Sequence, residues 1–196
     1  ENALQDSPER ELQEEALYYL AMVDFFDKKA DSAKIGLERL LVEHPSGLYV
    51  NDAVRMLFTI GEAQGNPAVL YDYSNALFFE QRKMTDSALA RLLAIAESPI
   101  EVLADLALFE LARFNIEAGN ADSAIGYINR LEESFPESYY LPYALKEKGD
   151  LLAERPERLT EARDIYHRLL EDYPNFPFIS AVRQKVRELD ELYGSS

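Results

Sequence analysis

The chain has 196 residues, 47% of them hydrophobic and 29% charged, with a formal net charge of −16 and no cysteine. It is too apolar for disorder, and its longest apolar stretch of note, Ala16 to Val23, falls far short of the ~20 residues a membrane-spanning helix needs. The acidity speaks against nucleic acid and against direct docking on an anionic membrane surface, and the absence of cysteine excludes disulfides and thiolate chemistry.

Taken in chain order, the apolar spacing and the turn residues predict about ten helices and no strand. Ser7-Pro8 offers a cap followed by proline at the first helical position, opening a helix over 8–28. A second helix over 31–43 carries Ala33, Leu37 and Leu40 and stops at His44-Pro45. Helices over 47–64 and 67–83 are separated by Gly65-Asn66-Pro67, a stop followed by a start. The helix over 86–97 carries Ala88, Leu92 and Ile95, and Ser98-Pro99 is expected to open the next, over 99–118. After Gly119-Asn120 comes 121–134 with Ala124, Ile128 and Leu131, closed by Pro136. Helices over 138–154, 159–172 (Ala162, Tyr166, Leu169, closed by Pro174) and 177–193 complete the chain.

Four of these segments are copies of one pattern. A small residue is followed four and seven positions later by large apolar ones, all on one helix face, and then by a closing proline. Pro45, Pro99, Pro136 and Pro174 are 54, 37 and 38 residues apart. The last two intervals lie near the ~34-residue period of a helix–turn–helix repeat array. The first is longer by about half a repeat, which predicts one inserted helix between Pro45 and Thr85. The preceding helix of each pair supplies Leu17, Leu20 and Ala21, or Leu108, Leu111 and Ala112, a large, medium and small set that lets two helices approach closely. A hairpin of this kind cannot bury its apolar face alone, so neighbours must stack.

At these residues the chain resembles the tetratricopeptide-repeat family over most of residues 8–193. The resemblance implies an all-α, right-handed α-α superhelix of about ten helices forming a single domain over 1–196. Its repeats lie near 8–45, 67–99, 100–136 and 138–174, with the inserted helix near 47–64 and a capping helix over 177–193. The family's Trp and Gly positions are mostly Leu and Ala here, Gly149 excepted. After the closing proline come Gly47-Leu48-Tyr49 then Ala53, Ser138-Tyr139-Tyr140 then Ala144, and Phe176-Pro177-Phe178 then Ala181. This continuation is similar to that of bacterial envelope repeat proteins such as the outer-membrane assembly lipoprotein and the periplasmic coordinator of the Tol–Pal system. It implies a periplasmic or outer-membrane-associated adaptor, with a cytoplasmic location as the alternative. Glu1 in place of Met fits a processed form or a segment cut from a longer chain, and any signal peptide or lipid anchor would lie upstream.

No catalytic motif, metal-ligand spacing or cofactor loop stands out, so no catalytic residue, metal or cofactor is expected. His44 precedes Pro45 where later repeats have Phe135 and Tyr173, and is read as filling the same position; His167 is expected to point outwards. The acid pairs Glu14-Glu15, Glu132-Glu133, Glu171-Asp172 and Glu188 to Glu191 are read as solvated helix faces that keep the chain soluble, although a basic partner is permitted. Gly36 and Gly126 are expected to allow close helix packing.

Twelve Tyr and ten Phe are a heavier signal, and many fall on first helices. In the family these helices line the inner, concave surface, where partner segments lie. Carried over by position, that groove comprises Tyr18, Met22, Tyr73, Leu77, Phe109, Arg113, Tyr143 and Lys146, with Phe25, Phe78 and Phe114 in the inter-repeat core. The expected function is therefore a non-catalytic scaffold that binds a protein or peptide partner. The alternative is a purely architectural segment of a larger envelope protein that assembles through its ends. In that case the first helix, with Leu12, Leu17 and Tyr19, carries an unsatisfied face, while Arg183, Lys185, Arg187 and Glu188 make the last helix a polar cap.

Overall fold

A computed structural model describes residues 8–194; Ser7, the expected first cap, lies outside them. Among the described residues the chain is all-helical, with α1 (Pro8–Phe26), α2 (Ala30–Glu43), α3 (Val50–Glu62), α4 (Pro67–Gln81) and α5 (Thr85–Ala96). These are followed by α6 (Ala104–Glu117), α7 (Ala121–Ser134), α8 (Leu141–Ala153), α9 (Leu159–Asp172) and α10 (Ile179–Gly194). A single 3-10 turn, Pro156–Arg158, joins α8 to α9. None of these helices is long and apolar enough to cross a membrane.

The helix start that departs most from expectation is that of α6. Ser98-Pro99 does not open α6, because the Ser98 hydroxyl accepts the Ile100 N–H at 3.1 Å and closes a local turn instead. Leu103 then takes a left-handed φ of 60°, and α6 begins at Ala104. The described residues fall into two compact units, divided between Ala104 and Asp105.

In the first unit α1 packs on α2 and α4, α2 on α3, and α4 on α5. Ala33, Leu37 and Leu40 of α2 and Ala88, Leu92 and Ile95 of α5 are all buried, as the spacing requires. Gly36 lets α2 close on α1, since a Cβ there would stand 3.0 Å from the Ala21 Cβ. The buried Ser74 hydroxyl of α4 donates to the Phe25 carbonyl of α1 at 3.1 Å, so this contact satisfies its polar atoms. The expected inserted helix is α3. Leu17 is only half-buried and Leu20 is exposed, in contrast to the paired role assigned to them.

In the second unit α8 packs on α7 and α9, and α9 on α10. Tyr166 stands where the other second helices have Leu37, Leu92 and Ile128, and Gly149 makes the room. A Cβ on Gly149 would lie 2.6 Å from the Tyr166 ring. Gly126, by contrast, faces open space, so it does not serve close packing. The position in α10 that corresponds to Ala53 and Ala144 is the buried Val182; Ala181 is exposed.

The closing prolines work through one repeated turn. His44, Phe135 and Tyr173 leave their helices with φ of −131°, −134° and −127°, outside the α region that a following proline disfavours. Each donates its N–H back into the helix, to the carbonyls of Leu40, Leu131 and Leu169. Three residues on, Gly47, Ser138 and Phe176 donate to the carbonyls of His44, Phe135 and Tyr173, each at 3.0 Å. His44 is buried in this position.

Candidate functional site

The turn after each closing proline does more than connect helices: it also aims aromatic rings. In the first unit the Tyr49 ring stacks on Tyr18 of α1, centroids 4.7 Å apart, with Tyr19 edge-on to both. In the second unit Tyr140 stacks in the same way on Phe109 of α6, at 5.5 Å. The cluster continues from there. Tyr143 of α8 meets Phe109, Tyr139, Phe176 and Phe178, and the Tyr139 and Tyr143 hydroxyls share a 3.2 Å hydrogen bond. Six rings from α6, α8 and the turns before α8 and α10 thus form one connected aromatic cluster, in which Tyr140 and Phe176 are buried. Tyr139 and Phe178 remain exposed at its rim.

Two acids hold these turns in place. The Glu14 carboxylate of α1 is buried and accepts the N–H groups of Leu48 (3.1 Å) and Tyr49 (2.6 Å), at the entry to α3. Asp105 of α6 does the same work in the second unit through an intermediary. It accepts the Ser138 hydroxyl at 2.7 Å, and that oxygen accepts the Tyr140 N–H at 3.1 Å. Carboxylates are favoured here because a helix entrance presents unsatisfied N–H groups and a positive dipole end. Glu14 is therefore not part of a solvated face. Glu132 departs from that reading too: it pairs with Lys148 of α8 at 3.1 Å and with Arg168 of α9, joining three helices. Burial works to raise the Glu132 carboxyl, but the two cations outweigh it and hold it below its ordinary value.

The eight predicted groove residues separate into three groups. Phe109 and Tyr143 meet in the aromatic surface, and Tyr18 in the smaller cluster of the first unit. Arg113 and Lys146 are present as half-buried cations, but neither offers a bare charge. Arg113 pairs with Glu110 at 3.0 Å and Glu117 at 3.6 Å, and Lys146 with Asp150 at 2.6 Å and Glu147 at 3.7 Å. Asp150 also accepts the Tyr166 hydroxyl at 2.6 Å; burial, and then this hydrogen bond, raises the Tyr166 phenol well above its usual range. Met22 and Tyr73 are 4% and 3% exposed and belong to the core, a correction to their placement in a groove. Leu77 is half-buried on α4. A helix spacing of three and four cannot tell a lining position from a core one when the face is apolar all round, as it is on α4.

The residues missed from the sequence are Tyr49, Tyr139, Tyr140, Phe176 and Phe178. They sit on the post-proline turns and not on the first helices where the groove was sought. Their signal was the Pro–small–aromatic continuation, which marks the place where a turn delivers a ring onto the neighbouring first helix.

The family model for the tetratricopeptide repeat matches residues 15–47, 106–138 and 148–175. The first two matches have the same length and place Gly47 opposite Ser138, the register already given by the two acid-capped turns. No curated protein and no solved structure matches the chain. Tetratricopeptide repeats generally mediate protein–protein interaction, and the matches at α1–α2, α6–α7 and α8–α9 support the tetratricopeptide-repeat family for this chain.

Proposed function

We propose that the chain is a non-catalytic protein-interaction scaffold, and that the aromatic surface of its second unit holds a segment of a protein partner. The observation that carries this is the connected set of six rings, with Tyr139 and Phe178 open to solvent. Tyr and Phe offer large contact area at small entropic cost and are frequent binding anchors. With Arg113 and Lys146 neutralised by their own acids, recognition rests on apolar and aromatic contact and not on capture of a carboxylate. The family resemblance and the lack of cysteine support a place in the bacterial cell envelope, which fractionation of the source cells would test.

The test is capture of partners from envelope and cytosolic fractions by the native chain and by a Tyr139→Ala/Phe178→Ala variant. Both side chains are exposed, so the variant should melt within a few degrees of the native protein. Loss of a reproducible partner supports the reading. Undiminished capture by a folded variant overturns it and leaves the architectural alternative.

A further inference from the structure

A different surface, on α1, carries a second reading. Leu12, Ala16, Tyr19, Leu20 and Val23 recur at helical spacing along one face, opposite the buried Glu14, Ala21, Met22 and Phe25. The face is open: Leu12 is 66% exposed, Leu20 64% and Val23 55%. The corresponding face of α6 is closed, with Ala107 and Leu111 exposed by no more than 1%. On α8 the equivalent side packs against helix α7, across which Lys148 reaches Glu132. At the other terminus α10 turns Val182, Val186 and Leu189 onto α9 and shows Arg183, Lys185 and Arg187 to water. Among the described residues the α1 stripe is thus uncovered, whereas the equivalent side of α8 receives a helix.

Its charge selects the occupant. Glu9, Glu11 and Glu15 flank the stripe, all exposed and with no ion pair among the described residues. Arg10 turns away to the Glu43 carbonyl at 3.1 Å, and Lys29 is held by Asp24 and Asp27. A second copy of this chain would set these carboxylates against their own kind, which disfavours self-pairing. We infer that the exposed face of α1 docks an amphipathic helix of a partner protein, its apolar stripe flanked by Lys and Arg. The contact runs about 17 Å from Leu12 to Val23, roughly three helical turns, and is independent of the aromatic surface above.

The probe is a synthetic amphipathic helix with a leucine stripe and lysine flanks, compared with the same stripe flanked by glutamate. Binding is read by fluorescence, and its location by amide shifts in the isotope-labelled full chain. The lysine-flanked peptide should bind with shifts confined to residues around 9–27. Leu20→Ser should weaken it at least about tenfold without lowering the melting temperature, and Glu11→Lys/Glu15→Lys should weaken it and blunt its salt dependence. Equal binding of the glutamate-flanked peptide, shifts centred elsewhere, or indifference to Leu20→Ser would overturn the proposal. So would self-association of the native chain abolished by Leu20→Ser, which would assign the face to a second copy.

Discussion

The carboxylate of Glu14 occupies the space that a side chain on Gly47 would need, and the equivalent pair in the second unit, Asp105 and Ser138, solves the same problem with the lengths exchanged. A long acid reaches the turn amides directly past a glycine; a short acid reaches them through a serine hydroxyl. The two positions should therefore be coupled. Gly47→Ser alone is expected to cost about 2–3 kcal/mol, because it drives a side chain into a buried carboxylate. Glu14→Asp alone should cost about 1–2 kcal/mol by pulling the acceptor away from two N–H groups. The double variant, which transplants the Asp105–Ser138 arrangement, should recover most of the loss. Urea melts of all four proteins give the coupling directly, and additive losses would show that the two turns are not equivalent.

The turns between first and second helices offer a cleaner backbone test. Lys28, Lys83 and Gly119 occupy the same left-handed position, with φ of 63°, 57° and 74°. In each case the next residue donates back to the helix, to the carbonyls of Asp24, Phe79 and Asn115. Only glycine is unstrained there. Lys83→Gly should raise stability by about 0.5–1 kcal/mol, and Gly119→Ala, whose Cβ meets nothing, should lower it by about 1 kcal/mol. Lys83 is the better choice than Lys28, whose ammonium lies 5.4 Å over the Tyr71 ring. An unchanged melting temperature in Lys83→Gly would mean that contacts of the lysine side chain compensate the backbone strain.

Much of this architecture was legible because its causes are local. The small-large-large triplets of Ala33, Leu37, Leu40 and Ala124, Ile128, Leu131 fix which face of a second helix is buried, and proline fixes where it stops. The α6 start was missed because Ser98-Pro99 has the composition of a helix entrance but spends its hydroxyl on a turn. The aromatic cluster was half legible. Phe109 and Tyr143 follow from helix periodicity, whereas Tyr140 and Phe178 join the cluster only because a turn folds back on a helix, one more than thirty residues away in sequence for Tyr140. Met22 and Tyr73 were misplaced because long-range packing decides burial on a helix with several apolar sides.

Two glycines inside helices should respond in opposite directions to the same substitution. Gly126 is exposed in α7 with open space around it, so Gly126→Ala should stabilise by about 1 kcal/mol through helix propensity alone. Gly149→Ala gains the same propensity but forces a methyl group against the Tyr166 ring, and should lose about 2 kcal/mol or more. Adding Tyr166→Leu, the residue type found at Leu37 and Leu92, should restore part of that loss. Thermal melts of the three variants settle the sign, and a stabilising Gly149→Ala would refute the packing seen between α8 and α9.

The aromatic surface should also announce itself at alkaline pH. Burial, and then the hydrogen bond with Tyr139, pushes the Tyr143 phenol up to about 12 from an ordinary value of 10.0. A group that holds its proton more tightly when folded contributes stability in full below the unfolded value, and loses it as pH rises through the folded one. Resistance to urea should therefore hold to about pH 10 and decline between about pH 10 and pH 12. Tyr139→Phe removes the hydroxyl partner, so Tyr143 should ionise at lower pH and the alkaline decline should become shallower. Phenolate absorbance, followed in the native chain and in Tyr139→Phe, separates this effect from lysine deprotonation, which both proteins share. If the two titration curves coincide, the Tyr139–Tyr143 hydrogen bond does not form in solution, and the rim of the proposed binding surface is looser than the packing of its rings implies.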